Sequence, residues 1–503
     1  MRSLVWFKRD LRITDHLPLV MASDAGEVIC LYVYEPELIE AEEFDPSHLV
    51  FINESLRELD ENLRARGSAL VLRRGSMPEV LRQIHEECPF ERLWSHEETG
   101  NRMTYDRDLR VADWCKEAGV EWTEIPQNGV ERPIYSRDGW AARWNKRMKA
   151  EGTDPPPAIR AVRGVETGHI LETCDLGLPP SSKVEAKPGG ESKAQAHLES
   201  FLQSRGVNYR KDMSSPVEGW EGCSRLSPYL AWGNISIKTI HHALQDRVAD
   251  LRWKKAEGLP FDNRWLQSLK SFGGRLRWHC HFMQKLEDEP DIEFENMNRA
   301  YDGLREEEFS EEYFEAWCRG ETGYPMVDAC MRALLKGGWI NFRMRAMLVS
   351  FSSYHLWNHW RKPALHLARH FLDLEPGIHF SQVQMQSGVT GINTIRIYSP
   401  IKQVADQDPK GLFIRKYLPE LADVPDAFLA EPHKMPMGEQ MMAGCRIGKD
   451  YPAPIVDHKT AYAHAKNRMF AAKGTKEARE EASRVSQKHG SRREPSRRSS
   501  ARR

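Results

Sequence analysis

Net charge is almost missing from this sequence: 72 Lys and Arg stand against 73 Asp and Glu, leaving −1 over 503 residues. A uniformly basic molecule is excluded, and any hold on a polyanion must come from a local patch. Long apolar runs are missing as well; none approaches the ~18 residues of a membrane span. The N-terminus, MRSLVWFKRD, has no apolar h-region of the kind a signal peptide needs, so a cytoplasmic protein is expected. Nine Cys occur without one C-x-x-C pair. That argues against a zinc ribbon and for free thiols in a reducing compartment. Neither G-x-G-x-x-G nor G-x-x-x-x-G-K-[ST] occurs, so no dinucleotide or nucleoside-triphosphate fingerprint is present.

What is there divides by pattern. Ser3–Phe7, Glu27–Val33, Ala69–Leu72, Glu91–Ser95 and Val120–Ile125 read as short buried strands. Residues 49–66, 77–85 and 105–118 carry apolar side chains at helical spacing. Strands alternating with helices predict an α/β N-terminal domain built on a doubly wound parallel sheet, with ligands near the strand C-termini. Residues 152–190 are rich in Pro, Gly, Ser and Thr and read as a long linker wrapping the surface. From Lys193 onward the helical period dominates, which predicts an all-α C-terminal domain. The expected divisions are 1–130, a linker over 131–195, a helical domain over 196–472 and a tail over 473–503. The tail has little apolar content and six Arg in its last thirteen residues. It is expected to be disordered, either solubilising the chain or binding nucleic-acid phosphates.

The densest chemistry lies between Trp317 and Leu418. Arg343 and Arg345 are set into an apolar helical run, and a buried Arg needs an anion. Asp373 and Glu375 are the nearest acidic candidates downstream, for a structural ion pair or a functional one. Ser224 and Ser227 straddle Arg225 and Leu226 just before a helix, as either a cap or an anion site. His279 and His281 face apart on a helix. His355/His359 and His366/His370 have the i,i+4 spacing of metal ligands but no acidic third ligand nearby, so no metal is expected.

The order of motifs carries further. WCRGETGYPMVDACMRAL, then GWINFRMRAMLVSF, a WR dipeptide, LD, and RIYSPIKQVADQDPKGLFIRKYLPEL resemble the photolyase/cryptochrome family. WFKRDLRITDHLPL resembles its N-terminal antenna domain, so the likeness spans residues 1 to about 460. It implies a bent FAD held in the helical domain. The implied FAD contacts are Tyr209, the run Cys223, Ser224, Arg225, Leu226 and Ser227, and Arg345, Asp373, Leu374 and Glu375. It places Trp278 under a flipped-out lesion, and Trp317 and Trp360 at the two outer positions of a three-Trp electron relay. The four-Cys iron–sulfur cluster of one bacterial branch is not expected. An antenna folate or deazaflavin is implied for some members and left open here.

The sequence departs from the family in four places. Cys223 stands where a Thr is usual. No Trp occurs in HFSQVQMQ, where Val383 takes the innermost relay position. His379 aligns with the Asn that faces flavin N5. In the lesion pocket Arg275 replaces a Glu, Phe342 an Asn and Ala346 a Met; the two His of (6-4) photolyases would occupy the last two positions. The resemblance implies a monomeric lyase, a deoxyribodipyrimidine photo-lyase that splits cyclobutane dimers in UV-damaged DNA by blue light. The alternative it allows is a cryptochrome photoreceptor with a signalling partner and no repair activity.

Overall fold

The computed structural model describes residues 1–490. Five parallel strands, β1 (Arg2–Phe7), β2 (Glu27–Tyr34), β3 (Leu70–Arg74), β4 (Arg92–His96) and β5 (Glu121–Ile125), stand in the order β3-β2-β1-β4-β5. β1 is buried on both faces from Ser3 to Phe7, which is why it reads as an unbroken apolar run rather than an alternating one. Helices Pro46–Arg64, Met77–Glu87 and Arg102–Ala118 cover the sheet. The second buries Met77, Val80, Leu81 and Ile84, one face at period 3.6. Asp45 and Asn101 cap the other two with side-chain oxygens. A short helix, Leu17–Ala25, and a two-residue strand β6 (Arg160–Ala161) beside β2 add to the expected elements.

Residues 152–190 hold only β6 and one 3-10 turn, Cys174–Leu176. The stretch is fastened by its backbone. Thr167 O accepts from Leu72 N at 2.7 Å, Ile159 N donates to Arg66 O at 2.6 Å, and Pro188 O accepts from the Tyr229 hydroxyl at 3.0 Å. These bonds supply the partners that a wrapping segment without its own ladder needs.

From Glu191 the chain is helical. Its core gathers Trp317, Trp360, Met344, Met347 and Tyr354, all nearly inaccessible. Asp328 organises the turn that opens this region. It accepts from Thr322 N and Oγ1, from Gly323 N, and from the Tyr451 hydroxyl at 2.5 Å. Gly323 has φ +77°, and a Cβ there would lie 2.5 Å from the backbone of Ala453, so no other residue fits.

The two domains meet through backbone acceptors. Arg9, just past β1, donates to Ala231 O at 2.7 Å and also to Leu374 O. His48 Nε2 donates to Phe371 O at 3.0 Å. The turn 371–375 is thus held from the sheet domain, and Trp232 Nε1 adds a bond to Leu372 O at 2.9 Å from within the helical domain.

The expected disordered tail is corrected in part. Lys476–His489 is a helix capped by Thr475. Ala478, Val485 and His489 are buried along one stripe, and Asn298 Nδ2 bonds Ala478 O at 3.1 Å. Composition misled because one narrow stripe is enough to dock a helix onto an existing core. Residues 491–503 lie outside the described residues.

A chain ended at Lys473 should therefore melt lower than the parent, since Val485 burial alone is worth about 1.5–3 kcal/mol. A chain ended at Gly490 should melt as the parent does. Thermal unfolding of the two truncations checks this; equal melting at Lys473 would make the helix an ornament.

Candidate functional site

The helical domain encloses a cavity of about 480 Å³, within the range of small-molecule sites. All expected cofactor residues line it: Tyr209, the run Cys223 to Ser227, Arg345, and Asp373 to Glu375. So do the expected lesion contacts Arg275, Trp278, Phe342 and Ala346.

At the floor, the Arg345 guanidinium grips both oxygens of Asp373, at 3.0 and 2.8 Å. Its Nε donates to Ile340 O at 2.8 Å, and its plane lies 4.0 Å from the Phe371 ring centroid. Three hydrogen bonds and one stacked face hold the cation, which orients the pair. Glu375 beside it is buried and has a carboxylate oxygen without a protein partner; burial pushes its carboxyl up to about 7. Arg343 contacts Ser214 Oγ at 3.5 Å and takes no part in the floor pair.

The Cys223–Ser227 run forms the far wall. Arg225 has φ +59°, a conformation that costs a non-Gly residue about 1–2 kcal/mol. Its buried guanidinium is sandwiched between Trp220 and Trp339, 4.1 and 4.0 Å from the ring centroids. Burial pulls it down to about 10, and its Nε finds no protein acceptor. Neither serine is a helix cap: the N-cap of Ser227–Ala231 is Leu226, and Ser227 Oγ accepts from Trp339 Nε1 at 3.2 Å. The loop is stapled by Arg205, which donates to the carbonyls of Glu221, Cys223 and Ser224. Arg205 lies outside the matched motif, and no sequence signal marked it.

At the mouth, Trp278 is 49% exposed and Phe342 is 46% exposed. Arg275 lies 5.7 Å from the Phe342 ring centroid. Arg396 and Tyr398 join the lining from the RIYSP motif, together with Gln382 and Gln386. His379 also faces the cavity. Its Nε2 lies 2.8 Å from Ala364 O, which can only accept, so that nitrogen carries the proton; burial pulls the ring down to about 4 and keeps it neutral.

The comparisons with known proteins follow the same division. Residues 3–133 match the DNA photolyase domain, and residues 272–471 match the FAD binding domain of DNA photolyase. The deoxyribodipyrimidine photo-lyase of Streptomyces griseus is 30% identical over 494 residues, covering 94% of this chain and 99% of that protein. This chain belongs to the photolyase/cryptochrome family. The cryptochrome DASH of Gloeobacter violaceus is 28% identical, covering 90% of this chain and 93% of that protein. Among solved structures, a bacterial class III photolyase from Agrobacterium tumefaciens superposes with a TM-score of 0.82 at 26% identity, over 94% of this chain and 98% of that one.

FAD is accordingly the cofactor of this photolyase/cryptochrome chain. The two residues expected at the outer relay positions stand back from the site. Trp317 and Trp360 lie outside the cavity lining and are both wholly buried. Trp360 Nε1 bonds Asn296 Oδ1 at 2.7 Å; Trp317 packs on Phe314 and His366. Val383, expected at the inner position, lines the cavity.

Among the described residues, one cluster brings metal-type ligands together: Asp10, His16 and His96. Hydrogen bonding accounts for it. His16 Nδ1 accepts from Leu19 N at 3.1 Å, so its Nε2 carries hydrogen and donates to Asp10 at 3.0 Å. His96 Nδ1 meets the same oxygen at 2.8 Å. Burial alone would push Asp10 up, but the two imidazoles outweigh it and hold its carboxyl well below the usual range. The D-L-R-I-T-D-H spacing held this hub, and sequence reasoning passed over it. No helix among the described residues is long and apolar enough to cross a membrane.

Asp373→Ala or Arg345→Ala should weaken FAD retention at least tenfold. Each leaves a partly buried charge unpaired, worth roughly 3 kcal/mol before screening through the exposed quarter of Arg345. FAD per chain after dialysis is the readout, and full content in both variants would remove the pair from the site.

Proposed function

We propose that this chain is a light-driven lyase that splits cyclobutane pyrimidine dimers in DNA. The observation that carries the reading is Trp278, half-exposed at the mouth of the same cavity whose floor is the Arg345–Asp373 pair. The residues fit FAD. Arg225 supplies a buried cation with no paired carboxylate, suited to a pyrophosphate. Glu375, Asn341, Arg343 and Gln382 each leave a buried polar atom without a protein partner at the cavity. Buried orphans of this kind call for a ligand.

Bound in this cavity, reduced FAD would supply the light-driven electron that opens a cyclobutane ring and would accept it back. The chain does the rest. Trp278 offers an aromatic face to bases drawn out of the duplex, which offsets part of the unstacking cost. Arg275 donates to a thymine carbonyl oxygen where a carboxylate would accept from N3–H. Apolar Ala346 and Phe342 limit water beside the lesion. They supply no imidazole, which argues against (6-4) photoproducts. In the N-terminal domain, the crevice at the strand ends has a cavity of about 120 Å³, below the ~300 Å³ of a small-molecule site. Arg107 there already meets Glu35, Glu98 and Asp108. No step is assigned to a folate or deazaflavin antenna.

Two observations favour a second reading, a cryptochrome photoreceptor. Val383 interrupts the usual relay, and Arg275 and Phe342 replace the usual lesion contacts.

Illumination of the purified protein with a dimer-containing oligothymidine decides between them, read as the returning thymine absorbance. Repair is expected. Trp278→Ala should weaken binding of damaged duplex by one to two decades, from about 1–3 kcal/mol of stacking per base. Undamaged duplex should bind as before, since only phosphates are contacted. Arg275→Glu should keep repair or raise it. No repair by the parent, with Trp278→Ala unchanged on both duplexes, would hand the site to the photoreceptor reading.

A further inference from the structure

Beside the FAD cavity, the helix Arg264–Asp288 carries a second stripe of chemistry. Trp278, His281, Phe282 and Lys285 fall at i, i+3, i+4 and i+7 and so share one face. The ring centroids of Trp278 and Phe282 lie 5.6 Å apart, and those of Trp278 and His281 lie 6.3 Å apart. The stripe therefore starts at the cavity mouth. His281 continues it to Trp140, on the helix Trp140–Lys149, with ring centroids 6.0 Å apart.

Lys285 is the anomaly in this stripe. It is only 4% exposed, and a buried ammonium ordinarily has a carboxylate. Among the described residues no carboxylate pairs with it. Its Nζ stands 5.0 Å from the Phe282 ring centroid, and the charge that acts on it is another cation, Arg137. Burial and Arg137 together pull Lys285 down to about 8. The acids nearby are already engaged. Asp288 lies 3.6 Å from Arg137 Nε and accepts from Gln284 Nε2 at 2.8 Å. Glu289 receives His489 Nε2 at 2.6 Å and Lys488 Nζ at 3.0 Å, with Arg484 Nη1 at 3.4 Å. Further donors converge here. Trp140 is 6% exposed, and its Nε1 has no hydrogen-bond partner. The Arg137 guanidinium lies 5.8 Å from the Trp140 ring centroid. Burial, with Lys285, Arg137 and His489 adding to it, pulls His281 down to about 3, so its ring is neutral and keeps one N–H to give.

We propose that Lys285, Arg137, His281 and the Trp140 indole form a binding site for a phosphate group beside the Trp278 mouth. A phosphate accepts from an ammonium, a guanidinium and neutral N–H donors at once, and its charge offsets the excess of cations over carboxylates. Lys285 follows Trp278 by seven residues, about 10 Å along the helix. A phosphate of the strand that leaves the mouth and a free inorganic phosphate present the same chemistry to these donors. Only the strand source rests on the DNA-directed reading above.

The test is thermal melting of the full, FAD-loaded chain in chloride and in inorganic phosphate at one ionic strength, with Lys285→Met as the comparison. In chloride the variant should melt at or above the parent, because it removes a buried cation that has no carboxylate. Phosphate should raise the melting point of the parent and leave that of the variant unchanged. Equilibrium dialysis should show phosphate bound at least tenfold more weakly by Lys285→Met, with FAD content unchanged. Trp140→Phe keeps the ring and removes only the N–H; it should weaken phosphate several-fold. A parent that binds no phosphate, or a Lys285→Met chain that binds it as the parent does, overturns the proposal. Should Lys285→Met fail to fold, unchanged phosphate affinity in Trp140→Phe overturns it instead. Duplex DNA separates the two sources. Competition between inorganic phosphate and duplex at constant ionic strength, lost in Lys285→Met, assigns the site to a strand phosphate; phosphate binding indifferent to duplex assigns it to the free ion. Dimer repair without phosphate binding sinks this inference alone, and phosphate binding without repair sinks the lyase reading alone.

Discussion

The Arg345–Asp373 pair is the constraint around which this molecule closes. One partner comes from the helix Phe342–Ser350 and the other from the turn after the helix Arg361–His370. Two opposite charges at this depth hold only when both are present. Ile340 O and the Phe371 ring add to that hold on the arginine side. The pair thereby ties the turn after one helix to the other helix at the cavity floor. The Cys223–Ser227 wall has its own fastening in Arg205 and the Trp220–Arg225–Trp339 stack.

Much of this was readable in the sequence for physical reasons. Strands buried on both faces must be apolar without interruption, and EVICLYV and SLVWF cannot be mistaken for surface. Arg345 announced itself because a cation in an apolar run needs an anion. Pro and Gly marked the linker because they forbid ladders. The assignment of Asp373 over Glu375 as the partner was not readable from spacing. It follows from geometry: Asp373 presents both oxygens to the guanidinium, while Glu375 keeps one without a protein partner.

The failures share a different cause. The Lys476–His489 helix, Arg205 and the Asp10 hub each depend on partners far away in sequence. Ala478 and Val485 look incidental in a polar stretch until residues 297–301 and 391 provide a surface for them. Asp10 looks like a loop carboxylate until His96 arrives from the end of β4. Trp317 is a separate matter: its ring fills the core beside Phe314 and His366, and a core ring has the same local sequence as one that conducts.

Arg9 carries a consequence for how such a chain can change over generations. Its guanidinium leaves the sheet domain and ends on carbonyls of Ala231 and Leu374, next to the cavity floor. The sheet domain is therefore part of the cavity's scaffolding, even though no chromophore needs to occupy it. Recombination that exchanged this half for a relative's would succeed only where an equally long, forked donor stood at the same point. A lineage that ceased to use its N-terminal domain for light gathering would still be compelled to keep it.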